Sequence, residues 1–137
     1  MTHKQKYSGQ SLVEFALIFP MVVFAMTVFF DLGRGIYYFS AISNSVREGT
    51  RYAIVHPMGT TAERDEIINT VKHYAVGINT DSLTVTLTPP CCGGDLVTIA
   101  ASYPFQPVTP GLALILGAGH GITVHAQSTM EVAPINR

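Results

Sequence analysis

Charge is scarce in this chain: Asp, Glu, Lys and Arg make up 12% of its 137 residues, against 47% hydrophobic. That balance is low for a freely soluble domain and fits a chain that gives surface to lipid or to neighbours. Association is expected. Basic residues are few as well, with eight Lys plus Arg and a net charge of -1. This excludes the concentrated basic face that neutralises nucleic-acid phosphates, so no nucleic-acid partner is expected. Cysteine is limited to the adjacent Cys91 and Cys92. Neighbouring thiols close only a strained small ring, and zinc thiolate pairs want two to four intervening residues, so neither a disulfide nor a metal site is assigned to them.

Recognisable catalytic patterns are missing too. No serine stands among glycines in a nucleophile motif, and no zinc-protease signature is present. Asp65, Glu66, Asp81 and Asp95 are scattered over a helix and turns. Gly117-Ala118-Gly119-His120-Gly121 resembles half of a phosphate-binding loop, but it is followed by a strand pattern where a dinucleotide site needs a helix. His120 and His125 are five apart, an odd separation that puts them on opposite strand faces. His56 and His73 have no patterned partners. The expectation is a protein with no catalytic residue, no metal and no cofactor.

What the chain does have is a long apolar run. From Phe15 to Phe30 no side chain is charged. A helix needs about 20 residues to cross a hydrocarbon core of about 30 Å, and Ser11 to Phe30 supplies them only if Glu14 lies inside. A carboxylate at a bilayer centre costs about 2.5 to 3.5 kcal/mol and less near the edge, so Glu14 calls for a partner or for a place at the inner interface, snorkelling. Lys4 and Lys6 precede the run without any acid, which orients the N-terminus to the cytoplasm and the rest outward. A signal peptide opens in the same way, but its cleavage site would have to be Gly33-Arg34-Gly35, a poor context beside Asp31. Pro20 inside the run predicts a kink that a membrane helix tolerates.

The helical pattern continues outside, with Leu32, Ile36, Phe39, Ile42 or Ser43, Val46, Gly49 and Ala53 along one apolar stripe. Arg34, Asn44, Arg47, Glu48 and Arg51 lie between, facing water or a neighbour. Tyr37 and Tyr38 mark the lipid boundary or pack on the following domain. His56-Pro57 ends this helix. Thr60-Thr61-Ala62-Glu63 reads as a capping box for a second helix, with Ile67, Ile68, Val71, Tyr74 and Ala75 inward and Gly77 as its C-cap. The period then changes to two over Leu83 to Thr88, Val97 to Ser102 and Ile122 to Gln127, three half-buried strands, and a short segment around Met130-Glu131-Val132 either adds a fourth or continues the third. Pro89 to Asp95 makes the first turn. Leu112 to Leu116 is too short to cross a bilayer and is taken as a core segment, with a hydrophobic contact loop as the alternative. No internal repeat or low-complexity linker appears. The fold class expected is α+β: a long N-terminal membrane-spanning helix, a second short helix and a three- to four-stranded antiparallel sheet.

A basic leader, Gly9, and then a long helix with Glu14 five residues past that glycine is similar to the processing region of type IV prepilins. The resemblance implies cleavage of the Gly9-Gln10 bond by a prepilin peptidase, which makes Gln10 the new amino terminus. An α-amine has a pKa of about 8 and is mostly cationic at neutral pH, so Glu14 would pair in low dielectric with the amine of a neighbouring subunit. More narrowly, Gly9-Gln10-Ser11-Leu12-Val13-Glu14-Phe15-Ala16-Leu17 with Pro20, Asp31-Leu32-Gly33-Arg34, and Ser43 to Ala53 with its Arg47-Glu48-Gly49 core resemble the TadE-like family of tight-adherence pilus systems. The resemblance is dense over residues 9 to 55 and looser into the strands.

It implies a pilin-like fold and a minor pilin or pseudopilin acting in pilus assembly or as a filament subunit. The chain would divide into a leader (1–9), a helix with a transmembrane first half (10–55) and an extracytoplasmic head (56–137), single-pass in the inner membrane or carried into an extracellular pilus. Implied partners are other pilin or pseudopilin subunits, the prepilin peptidase, the inner-membrane assembly platform and membrane lipid. Arg47, Glu48 and Arg51 allow one i to i+3 and one i to i+4 charge contact and are candidates for a subunit contact. The alternatives are a membrane-anchored extracytoplasmic binding module not built into a filament, a secreted domain cut after Gly35, and an unrecognised hydrolase.

Overall fold

The computed structural model describes residues 8–56, 60–88, 96–109, 112 and 122–132. Expectations for the leader with Lys4 and Lys6, for Pro57, for the Pro89–Asp95 turn with both cysteines, for 113–116 of the Leu112 to Leu116 run, and for the Gly117–Gly121 segment with His120 lie outside them.

One continuous helix, α1 (Ser8–Ala53, 46 residues), runs through the apolar stretch and out the other side, with Pro20 in its interior. At about 1.5 Å per residue it is about 70 Å long, more than twice the thickness of a hydrocarbon core. Its last turn comes before His56, whose ring stacks on Tyr52 at 3.8 Å between centroids. Helix α2 (Thr61–Tyr74) starts at the expected capping box: the Thr60 amide donates to Glu63 Oε2 at 2.7 Å and the Glu63 amide to Thr60 Oγ1 at 3.3 Å. It ends differently from the sequence reading, because Ala75 is the C-cap. Gly77 follows with φ +74°, and a Cβ there would come within 2.5 Å of the Tyr37 hydroxyl. Its missing side chain serves the turn under Tyr37, not the helix end. Tyr74 is half exposed instead of inward.

After a 3-10 turn at Thr80–Ser82, β1 (Thr84–Thr88), β2 (Leu96–Phe105) and β3 (Ile122–Glu131) form an antiparallel meander in the order β1-β2-β3. Among the described residues the sheet has three strands, and the segment around Met130 continues the third as one of the two expected outcomes. Pairing of β1 with β2 ends at Thr84↔Ser102, whereas β3 follows β2 as far as Phe105↔Ile122. Pro104 therefore lies where β2 has a neighbour on one side only, a place that tolerates a missing donor. Thr98 and Thr129 join their hydroxyls across β2 and β3 at 2.8 Å.

The alternation predicted for the strands puts Leu87, Val97, Ile99, Ala101 and Phe105 on the inner face. Leu87, Val97, Ile99 and Ala101 share one core with Ile42 and Val46 of α1 and Ile67 and Val71 of α2, all four of these fully buried, while Phe105 packs on Tyr38 nearer the shaft. The buried stripe of α1 differs from the expected one. It runs through Asp31, Ile42, Ser45, Val46, Gly49, Thr50 and Ala53, with Gly35, Tyr38 and Ala41 partly covered, while Leu32, Ile36 and Phe39 are 55%, 70% and 53% exposed. Beside Ile42 and Val46, the inward residues Ser45, Gly49, Thr50 and Ala53 are small, which lets α2 and β2 come close. Ser45 and Thr50 turn their hydroxyls back to the carbonyls of Ile42 (2.9 Å) and Val46 (2.7 Å), so neither is an orphan in the core. At Gly49 a Cβ would overlap Val71 Cγ2 and stand 3.7 Å from Ile99 Cδ1. This is the closest approach of α1 to the layer beneath it that any glycine makes among the described residues.

Candidate functional site

Two regions of α1 carry the features that matter: the bare shaft at its start and the junction where shaft becomes head. Along the shaft the large side chains from Leu12 to Phe30 stand out from the molecule, and the most apolar 18-residue window has none of its residues buried. This is the one helix among the described residues long and apolar enough to cross a membrane. The one hydroxyl near its outer end, Thr27 Oγ1, donates back to the Phe24 carbonyl at 2.8 Å, which removes a bare donor from the apolar surface. Gly9, Gln10 and Glu14 lie in the first two turns and are exposed. Nothing lies within 4 Å of the place a Gly9 Cβ would take. Glu14 makes no hydrogen bond or ion pair among the described residues. Gln10 and Glu14 are one turn apart, about 6 Å along the axis, and share a face.

At the junction, Asp31 stands one residue past the Ser11–Phe30 span and is only 3% exposed. Its Oδ1 accepts the Val108 amide at 3.0 Å and its Oδ2 the Thr109 amide at 2.7 Å, while Arg34 Nη1 reaches Oδ1 at 3.3 Å. A carboxylate that accepts two successive amides ties the segment after β2 to the helix. The Thr109 hydroxyl, then the two amides and Arg34, outweigh the opposing effect of burial and hold the Asp31 carboxyl below the usual carboxylate range. Thr109 Oγ1 is buried with no partner in strict hydrogen-bond geometry. Its part is therefore the close approach of a hydroxyl dipole, and the amides are the definite anchors. The Arg34 guanidinium lies over the rings of Tyr38 (5.8 Å) and Phe105 (5.5 Å). Tyr38 meets Tyr103 and Phe105 edge-on, and the Tyr37 hydroxyl donates to the Val76 carbonyl at 3.0 Å. Both tyrosines make contacts with the head.

The charge cluster further out is looser. Glu48 and Arg51 pair at 3.5 Å with both side chains exposed, a contact worth at most a few tenths of a kcal/mol. The expected i to i+4 contact does not form, since Arg47 and Arg51 carry the same sign, and Arg47 has no ion pair among the described residues. No three His, Cys, Asp or Glu side chains come together among the described residues. What the two regions can do chemically is bind: an apolar shaft with one carboxylate, joined rigidly to a folded head.

Residues 9–51 match the TadE-like protein family. No curated protein and no solved structure matches the chain. The TadE-like segment covers the shaft, the Asp31 junction and the Gly49 contact, and it stops within α1, so the looser likeness expected over the strands has no counterpart in the match. A TadE-like segment indicates involvement in a tight-adherence pilus system, and the single apolar helix is compatible with a single-pass membrane protein. The sequence expectations name Gly9, Gln10 and Glu14, on which no contact in the structure bears, and give Asp31 no anchoring role. Its only signal was an acid directly after a lipid-length run, with an arginine three residues on.

Proposed function

We propose that the chain is a minor pilin or pseudopilin of a tight-adherence pilus system, held in the inner membrane by Ser11–Phe30, with its head extracytoplasmic. The observation that carries this reading is the division of α1: the apolar window of its inner half has no buried residue, while its outer half is part of the head's core. Full burial of a large apolar side chain stabilises by about 1.5 to 3 kcal/mol, so a row from Leu12 to Phe30 is untenable in water and demands lipid or other helices. A helix that is bare in the monomer and continuous with a rigid head can move from one to the other without refolding.

Cleavage after Gly9 would place a cationic amine on Gln10, and Glu14, unpaired on the same exposed face, is the complementary group for the amine of an adjacent subunit. In a low-dielectric environment each group offsets the desolvation of the other, and removing one leaves the other uncompensated at a cost of about 3 to 5 kcal/mol. Glu14→Ala is therefore expected to lower recovery in sheared filaments at least tenfold, a factor that corresponds to only about 1.4 kcal/mol, while leaving the membrane-bound pool intact. Undiminished recovery would overturn the pairing. Arg47, which is free on the head side of α1, is a contact for a further subunit in this reading; the Glu48–Arg51 pair beside it fixes the local charge pattern.

A further inference from the structure

The exposed apolar surface does not stop where the lipid-spanning run stops. Phe29 and Phe30 are 73% and 75% exposed, and Leu32, Ile36 and Phe39 continue the surface upward along α1. There it becomes one wall of an apolar groove whose other wall, among the described residues, is Phe105, Ile122 and Val124 at the ends of β2 and β3 nearest the shaft, with Leu112 of the connection between them. From Leu12 to Phe39 the helix rises about 40 Å, which exceeds a hydrocarbon core of about 30 Å but matches a bilayer of about 40 to 45 Å counted with its headgroup layers. Over the same length past Glu14 the only charged residues are Asp31 and Arg34. Each is engaged with the other, Asp31 is also capped by two amides, and Arg34 lies on two rings. Among the described residues no free charge stands at the base of the head to repel lipid, and the first one on α1 is Arg47, about 12 Å above Phe39.

We propose that the base of the head rests in the outer face of the bilayer, with phospholipid acyl chains occupying the groove between α1 and β3. This rests on the membrane-anchor reading above and adds to it a lipid-contacting role for the head itself. The continuity of the groove with the shaft selects the occupant: a chain of lipid lying along Phe29 and Phe30 reaches Leu32 and Ile36 past one polar lining residue, Asp31, which is 3% exposed and has both oxygens occupied by amides.

The chain contains no tryptophan, so single replacements report position without background. The full chain carrying Phe24→Trp, Ile36→Trp, Phe39→Trp or Val55→Trp is reconstituted in phosphatidylcholine vesicles containing lipids brominated at shallow or deep acyl positions. The expected result is strong quenching of the tryptophan at 24 by the deep label. At 36 and 39, roughly half of the emission should be lost to the shallow label and less to the deep one, as their height above the span requires, with no loss at 55. Absence of quenching at 36 and 39 while 24 is quenched overturns lipid docking and leaves the anchor standing. Blue-shifted, concentration-dependent but unquenched emission at 36 and 39 overturns it in favour of a second copy covering the groove. Absence of quenching at 24 overturns the anchor itself.

Discussion

Replacing Gly49 by leucine is expected to force α2 off α1 and to lower the stability of the head by about 3 kcal/mol, at the upper end of what overpacking a core costs. Even one Cβ at this position would overlap Val71 Cγ2, and Val71 is fully buried with a stiff, branched side chain that has no open space to turn into. Ile99 Cδ1 closes the other side. Alanine is a milder case. Its better helix propensity offsets about 1 kcal/mol of the clash, so a small net loss is expected from Gly49→Ala alone. Val71→Ala alone opens a cavity. The two together should do better than their sum, with a coupling of about 0.5 to 3 kcal/mol. Hydrogen exchange of the Val97 to Ala101 amides in the detergent-solubilised full chain reads all four variants. Additive losses would show that the helices are not in contact here. This gives the glycine of Arg47-Glu48-Gly49 a structural reason: it is the point where the shaft's helix admits the second helix.

Asp31→Ala is expected to release the segment after β2, with a local loss of about 2 to 4 kcal/mol. Hydrogen bonds to a charged acceptor contribute about 1.5 to 3 kcal/mol each, and two amides, that of Thr109 buried and that of Val108 partly so, would lose theirs together. The figure is held below the sum because the Arg34 side chain is 42% exposed and can turn to water once its partner is gone. Asp31→Asn keeps one acceptor oxygen but sets an NH2 group against an amide, so it should fall between alanine and the natural residue. Protection of the Val108 and Thr109 amides is the direct readout. Unchanged protection in Asp31→Ala would mean that the loop is held from elsewhere. Because the segment closes the base of the head beside Phe105, its release should also loosen the Arg34–Tyr38–Phe105 stack.

Much of this architecture was legible in the order of residues. The capping box at Thr60 and Glu63 formed as read because it is purely local, four residues satisfying one another. The strand alternation held because Val97, Ile99 and Ala101 share a face by backbone geometry alone, whatever lies beneath them. The stripe on α1 failed at Leu32, Ile36 and Phe39 for a physical reason: apolar periodicity records a face that avoids water and does not distinguish a core from a lipid-facing surface. The face that turned inward carries Asp31, Ser45, Gly49 and Thr50, residues chosen for close approach and internal hydrogen bonding rather than for hydrophobicity. Asp31 could not be assigned from its surroundings in the chain, since its anchoring amides lie 77 and 78 residues away. Gly77 was read as a cap because glycine after a helix usually is one, and its true neighbour, Tyr37, comes from the other helix.

The reading of Gly9, Gln10 and Glu14 concerns a helix end that makes no contact with the head, so its meaning lies in what other molecules do to it. Both residues of the Gly9-Gln10 bond are exposed, as a peptidase substrate requires. The most direct measurement is the intact mass of the protein isolated from the membranes of pilus-producing cells. A mature chain beginning at Gln10 is the expected result. A chain that still begins at Met1 or Thr2 would contradict the account, since Glu14 would then have no new amine to meet.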